Sequence, residues 1–196
     1  MLRASLGVGF LLLIPALATA APEDRGLRGW YVGGGGGVVI GQASDAEGRD
    51  PGGFLGAGGR FRVGDEVVPN LGIGLAFLGA GGTGNNASYE SGFGGFLLDI
   101  TWRPLPTDLA GLVISGGVGV GGGTITPKDD ALNYEGTPGG TLYGAGITWE
   151  IDFGDDIDGF VFAPGIQALF VPAQAGNEAG MSAFMVALET VWYAGR

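Results

Sequence analysis

The sequence contains no cysteine, no histidine and a single lysine, Lys128, in 196 residues. Without cysteine there is no disulfide, no thiolate metal site and no thiol nucleophile. Without histidine the commonest zinc ligand and general base are gone, and with them the Ser–His and Cys–His pairs of nucleophilic catalysis. An enzyme built from this chain would have carboxylates alone to work with. Nine Lys and Arg stand against twenty Asp and Glu, a net charge of −11. With no basic patch to displace phosphate counterions, a nucleic-acid partner is disfavoured. Charged residues are scarce, at 15% against about 25% in soluble domains.

Glycine is abundant, at 44 residues. There is no Gly-X-Y period, and the glycines sit among Val, Ile, Leu and aromatic residues, so neither collagen nor a polar linker fits. The first twenty residues read as a secretory signal: Arg3, an apolar run from Leu6 to Leu17, and the small-residue cleavage site Ala18-Thr19-Ala20. The run is about 12 residues, too short for a helix to cross a bilayer core of about 30 Å. The expected division is a signal peptide at 1–20 and one domain at 21–196.

In the mature part no segment holds helical spacing of apolar residues. Two-residue alternation in blocks of roughly ten recurs instead, the pattern of membrane strands. Tyr143, Ala145, Ile147, Trp149, Ile151 and Phe153 fall on one face of such a block, opposite Gly144, Gly146, Thr148, Glu150 and Asp152. Phe96, Leu98, Ile100 and Trp102 oppose Leu97, Asp99, Thr101 and Arg103 in the same way. Eight strands are predicted, near 29–40, 53–63, 70–80, 92–103, 110–123, 140–153, 158–171 and 181–193. The first, with Gly33 to Gly37, has no readable face, and Pro164 predicts a bulge in the seventh. Connections at 41–52, 81–91, 124–139 and 172–180 are polar and alternate with shorter ones at 64–69, 104–109 and 154–157. That alternation predicts an all-β, eight-stranded antiparallel up-and-down transmembrane β-barrel.

All four tryptophans then fall at one end, the periplasmic one. Trp30 opens strand one, and Trp102, Trp149 and Trp192 sit near the ends of strands four, six and eight, as interface aromatics do. The row opposite the large apolar residues is mostly Gly, Ala, Ser and Thr, a poor water-facing surface but a good lining for a narrow interior. Its charges, Arg60, Arg62, Asp99, Arg103, Glu150, Asp152 and Glu189, are expected to neutralise one another inside the barrel. They read either as a polar plug or gate, or as a satisfied network that fixes register.

Other motifs carry less. Gly117 to Gly121 has no following helix for a dinucleotide site. Asp152, Asp155, Asp156 and Asp158 fail the calcium-loop spacing because Gly154 takes a ligand position. Asp129, Asp130 and Glu135 could hold divalent cations loosely at a lipopolysaccharide surface.

The opening Gly29-Trp30-Tyr31-Val32-Gly33-Gly34, the alternating strands and the closing Phe184 to Tyr193 resemble the small eight-stranded outer-membrane barrels, the OmpA-like, OmpX-like and OmpW-like group. Arg60, Arg62, Glu150 and Glu189 look like the ion-pair core of OmpA-like barrels. The resemblance implies a non-enzymatic protein of the bacterial outer membrane with no cofactor. Its partners would be outer-membrane lipid, lipopolysaccharide and, during insertion, the barrel-assembly machinery; the partners of its loops are unknown. Ala194-Gly195-Arg196 after Tyr193 depart from the usual terminal aromatic. A narrow channel for small or apolar solutes and a soluble, lipocalin-like secreted barrel are the other readings.

Overall fold

The computed structural model describes residues 28–44, 52–84, 89–105, 108–128, 138–152, 159–172 and 179–194. The predicted cleavage site, residues 45–51, 85–88, 129–137 and 173–178 of the long connections, and residues 153–158 lie outside them. So do Asp129, Asp130, Glu135, Phe153, Gly154, Asp155, Asp156 and Asp158.

Nine strand segments make one antiparallel sheet: β1 (Trp30–Ser44), β2 (Gly53–Val68), β3 (Leu71–Gly84), β4 (Tyr89–Trp102), β5 (Leu112–Pro127), β6 (Gly139–Trp149), β7 (Ile151–Asp152), β8 (Phe160–Val171) and β9 (Gly180–Tyr193). Except for β6 and β7, each segment pairs with its neighbour in sequence; β9 returns to β1, β6 also pairs with β8, and the sheet closes. Segments β6 and β7 are one barrel strand, since both pair with β8 in a common register, Thr148 opposite Gly165 and Ile151 opposite Phe162. The barrel therefore has eight strands, joined in up-and-down order.

The register also fixes the stagger. The ladder runs from Val32 through Val63, Leu75, Leu98, Val118, Tyr143, Phe170 and Ser182. It re-enters β1 at Gln42, ten positions beyond Val32. Such a stagger tilts the strands against the barrel axis and leaves an interior just wide enough for side chains.

Alternation decides which side chains enter that interior. Val38, Ile40, Leu55, Phe61, Leu75, Phe77, Phe96, Leu98, Val118, Ile147, Phe170 and Phe184 are exposed on the outer surface. Arg60, Arg62, Asp99, Leu97, Leu142 and Glu189 are buried inside. A belt of large apolar residues around the outside is a surface for lipid, and it opposes the lipocalin-like reading, which needs the polar row outside.

Two expectations need correction. Pro164 makes no bulge: β8 keeps its register against β9 from Phe160 to Val171, and against β6 and β7 across the proline. Lacking an N–H, Pro164 only interrupts the ladder beside Trp149 and Glu150, splitting β6 from β7. Among the described residues the one register shift lies between Glu66 and Val68, next to the β2–β3 turn. Several strands also run further than hydropathy suggests, β2 to Val68 and β5 to Pro127. Pairing does not stop where the apolar belt stops, because backbone groups of polar residues hydrogen-bond equally well.

Glycine explains how the seam closes. On β1 a Cβ added at Gly35 would lie 2.1 Å from the Leu188 carbonyl oxygen, and one at Gly37 1.9 Å from that of Val186. Both face inward, against β9. Outward-facing Gly79 differs: a Cβ there would meet nothing closer than 3.7 Å.

Candidate functional site

Near the end of the barrel that holds the start of β1 and the end of β9, β2 supplies Arg60, Arg62 and Glu66 inward, alternating with outward Phe61 and Val63. The β2–β3 turn is short, and Asn70 takes its positive φ of 68°, a conformation asparagine tolerates. The Asn70 N–H donates to Glu66 Oε1 at 2.9 Å, and its carbonyl accepts the Arg103 N–H at 2.9 Å. The turn thereby aims Glu66 and Arg103 at each other.

A lower tier of charge results. Arg103 reaches Glu150 at 3.0 Å and Glu66 at 3.4 Å. Arg28 reaches Glu150 at 2.9 Å, and its backbone N–H donates to Glu66 at 2.6 Å. The Tyr193 hydroxyl accepts from Arg103 and donates to Glu150. The Arg28 and Arg103 guanidinium carbons lie 5.4 Å and 5.3 Å from the Tyr193 ring centre, within cation–π range.

The upper tier lies deeper. Arg60 donates to Asp99 at 2.6 Å and lies 3.7 Å from Glu189. Arg62 meets Glu189 at 3.3 Å, and Gln167 donates to the same carboxylate. The Arg62 guanidinium carbon sits 5.6 Å from the Tyr31 ring centre. Over both tiers Arg28, Arg60, Arg62 and Arg103 are matched by Glu66, Asp99, Glu150 and Glu189, so this interior charge balances. Each of these carboxylates is engaged by arginine, which is how buried charge is kept tolerable.

Toward the opposite end the lumen turns apolar. Phe93, Leu97, Leu142, Leu169, Met181 and Met185 belong to one buried cluster. Where this half meets the upper tier there is a cavity of about 10 Å³, room for about one water molecule.

Six of the seven charged residues expected in the interior are buried: Arg60, Arg62, Asp99, Arg103, Glu150 and Glu189. Asp152 is the correction. It shares a parity with Glu150 but is exposed, because β7 ends there, beyond the last layer of the lumen. Glu66 was missed, although it continues the alternation of Arg60 and Arg62; extending β2 past residue 63 would have found it. Gln167 could be found by the same parity on β8. Arg28 lies ahead of β1 and carries no local signal, since only closure of the barrel brings it over Glu150. The largely apolar upper lumen was also unexpected, because Leu97 and Leu142 sit next to equally apolar outward neighbours.

The four tryptophans share the end that carries the lower tier. Trp30 and Trp192 pack edge to face at 4.9 Å between ring centres, Trp102 pairs with Leu71, and Trp149 with Leu112. Trp30 and Trp149 are exposed outward, and Trp102 and Trp192 are half-buried.

No family model matches the sequence, and no curated protein does either. Solved structures do match. The chain is similar to Neisserial surface protein A, at 10% identity and a TM-score of 0.50, over 86% of this chain and 99% of that one. It is also similar to Ail, the attachment invasion locus protein of Yersinia pestis, at 12% identity and a TM-score of 0.53, over 84% of this chain and 99% of Ail. A second Ail structure, in complex with the heparin analogue sucrose octasulfate, matches with a TM-score of 0.50. These are small eight-stranded outer-membrane barrels, and at such identities the likeness shows the fold.

Proposed function

We propose that this protein is a non-enzymatic, sealed barrel of the bacterial outer membrane that supports a set of outward loops. One observation carries the reading: the lumen is blocked twice, by a charge-balanced arginine–carboxylate plug and by a packed apolar half beyond it. An ion entering the apolar half would lose most of its hydration among side chains that replace it poorly. The fold of the similar structures and the outer belt of apolar side chains support the membrane location, with the tryptophan ring read as lying at the periplasmic interface.

Two measurements test this. Planar-bilayer recordings of the purified protein should show no discrete conductance, and vesicles carrying it should not swell in small solutes; steady channel openings would refute the sealed barrel. Expression of the precursor in a Gram-negative host should give an outer-membrane band whose gel mobility changes on boiling. Recovery as a soluble periplasmic protein would refute the location.

The loops set the partner class. Residues 45–51, 85–88, 129–137 and 173–178 hold Asp45, Glu47, Asp50, Asp129, Asp130, Glu135 and Glu178 against one cation, Arg49. Repulsion disfavours a polyanion, so the sulfated ligand of the Ail complex is not expected to carry over. Heparin resin should fail to retain the protein at low salt, and retention that salt reverses would refute this.

A further inference from the structure

The cavity at the junction of the two halves of the lumen is lined by Arg60, Asp99, Ser115 and Gln167 on its polar side and by Leu97 and Leu169 on its apolar side. A buried water needs about 10–15 Å³ and two to four polar partners. The volume here is about 10 Å³, and the polar lining meets the second requirement. Arg60 adds an independent demand. Its side chain is 4% exposed, with one terminal nitrogen on Asp99 and the other against Glu189. Its Nε is buried without a hydrogen-bond partner among protein atoms, and an unsatisfied buried donor of this kind is costly.

The lining also selects the occupant. A cation would meet the Arg60 guanidinium and an anion the Asp99 carboxylate, so the site suits a neutral species. That species must both donate and accept hydrogen bonds and be about one heavy atom in size.

We propose that this cavity is an internal hydration site holding one water, which accepts from the Arg60 guanidinium where the upper tier meets the apolar half. The water's isolation from bulk rests on the sealed-barrel reading above; its presence does not. It occupies the last polar position before the apolar half of the lumen.

Oxygen-17 relaxation dispersion of the folded protein in detergent micelles reads such a water, because only a long-lived internal molecule contributes at low field. Gly144 lines the cavity, and a Cβ there would meet only the side-chain tips of Leu97 at 2.7 Å and Leu169 at 3.6 Å. Gly144→Ala should therefore lower the dispersion amplitude by one water. Gly122→Ala should not change it, because Gly122 faces outward and its nearest neighbour would be the Pro138 carbonyl at 3.5 Å. An unchanged amplitude in Gly144→Ala would overturn the proposal, and so would absent dispersion in a parent protein whose bilayer recordings show no conductance. Should Gly144→Ala lose its heat-modifiable mobility, Ser115→Val provides the same test by replacing a hydroxyl of the lining with two methyl groups that fill the cavity. The bilayer recording judges the sealed barrel separately, so the two ideas can fail independently.

Discussion

Removing Glu189 should unbalance the plug at its most deeply buried point. Glu189 and Arg62 are each almost wholly buried, and Glu189 is the carboxylate paired with Arg62. Glu189→Gln keeps the shape and deletes the charge. Arg60 retains Asp99 at 2.6 Å, but Arg62 is left as a buried cation facing the Tyr31 ring. Breaking a buried pair from one side costs about 3–5 kcal/mol, a factor of roughly 10² to 10³ or more in the folding equilibrium at about 1.4 kcal/mol per tenfold. With a urea slope of about 2 kcal/mol per molar, the unfolding midpoint should fall by on the order of 2 M. The assay is reversible urea unfolding of the protein in lipid vesicles, followed by tryptophan fluorescence and by gel mobility. The double variant Arg62→Met/Glu189→Met leaves Arg62 no charge to strand and should recover most of the loss, to within about 1–2 kcal/mol of the parent. A single variant costing less than about 1 kcal/mol, or a double variant no better than the single, would show that the pair is not what balances Arg62.

Gly35→Ala and Gly37→Ala should each reduce the folded fraction sharply, because the new Cβ would overlap the β9 backbone at 2.1 Å and 1.9 Å, and overpacking against backbone costs at least about 1–3 kcal/mol. Gly79→Ala, whose Cβ meets only open surface at 3.7 Å, should stay within about 0.5 kcal/mol of the parent; equal losses in all three would refute the seam argument. Pro164→Ala should join β6 to β7 by restoring a ladder donor, a gain of about 1 kcal/mol, read as a new amide at 164 protected from hydrogen exchange. Rapid exchange there would mean that the interruption has another cause. Tyr193→Phe removes the hydroxyl shared by Arg103 and Glu150 and should cost about 1–3 kcal/mol in the same urea assay, while an unchanged midpoint would show that the lower tier does not depend on it.

How much was legible in advance varied by element. Period-two alternation exposed most strands, because one face carries large apolar side chains outward and the other lines a narrow lumen, and the two environments demand different side chains. It failed at Gly33 to Gly37, where neither face carries a side chain and the pairing partners alone define in and out. It misled at Asp152, because parity says which face a residue occupies but not whether the lumen extends that far.

The sequence by itself determined the class of the protein: strands rather than helices, their order, the outward apolar row, and an absence of thiol and imidazole chemistry. These follow from local periodicity and composition, which a single strand already displays. Closure was decided only by the tertiary structure. The ten-position stagger sets how wide the lumen is, and so whether Leu97, Leu142 and Leu169 pack it shut. It also sets which distant charges meet, bringing Arg28 to Glu150 across 122 residues and Arg60 to Asp99 across 39. Those pairings depend on where eight strands stand relative to one another around a ring, a relation that no single strand encodes.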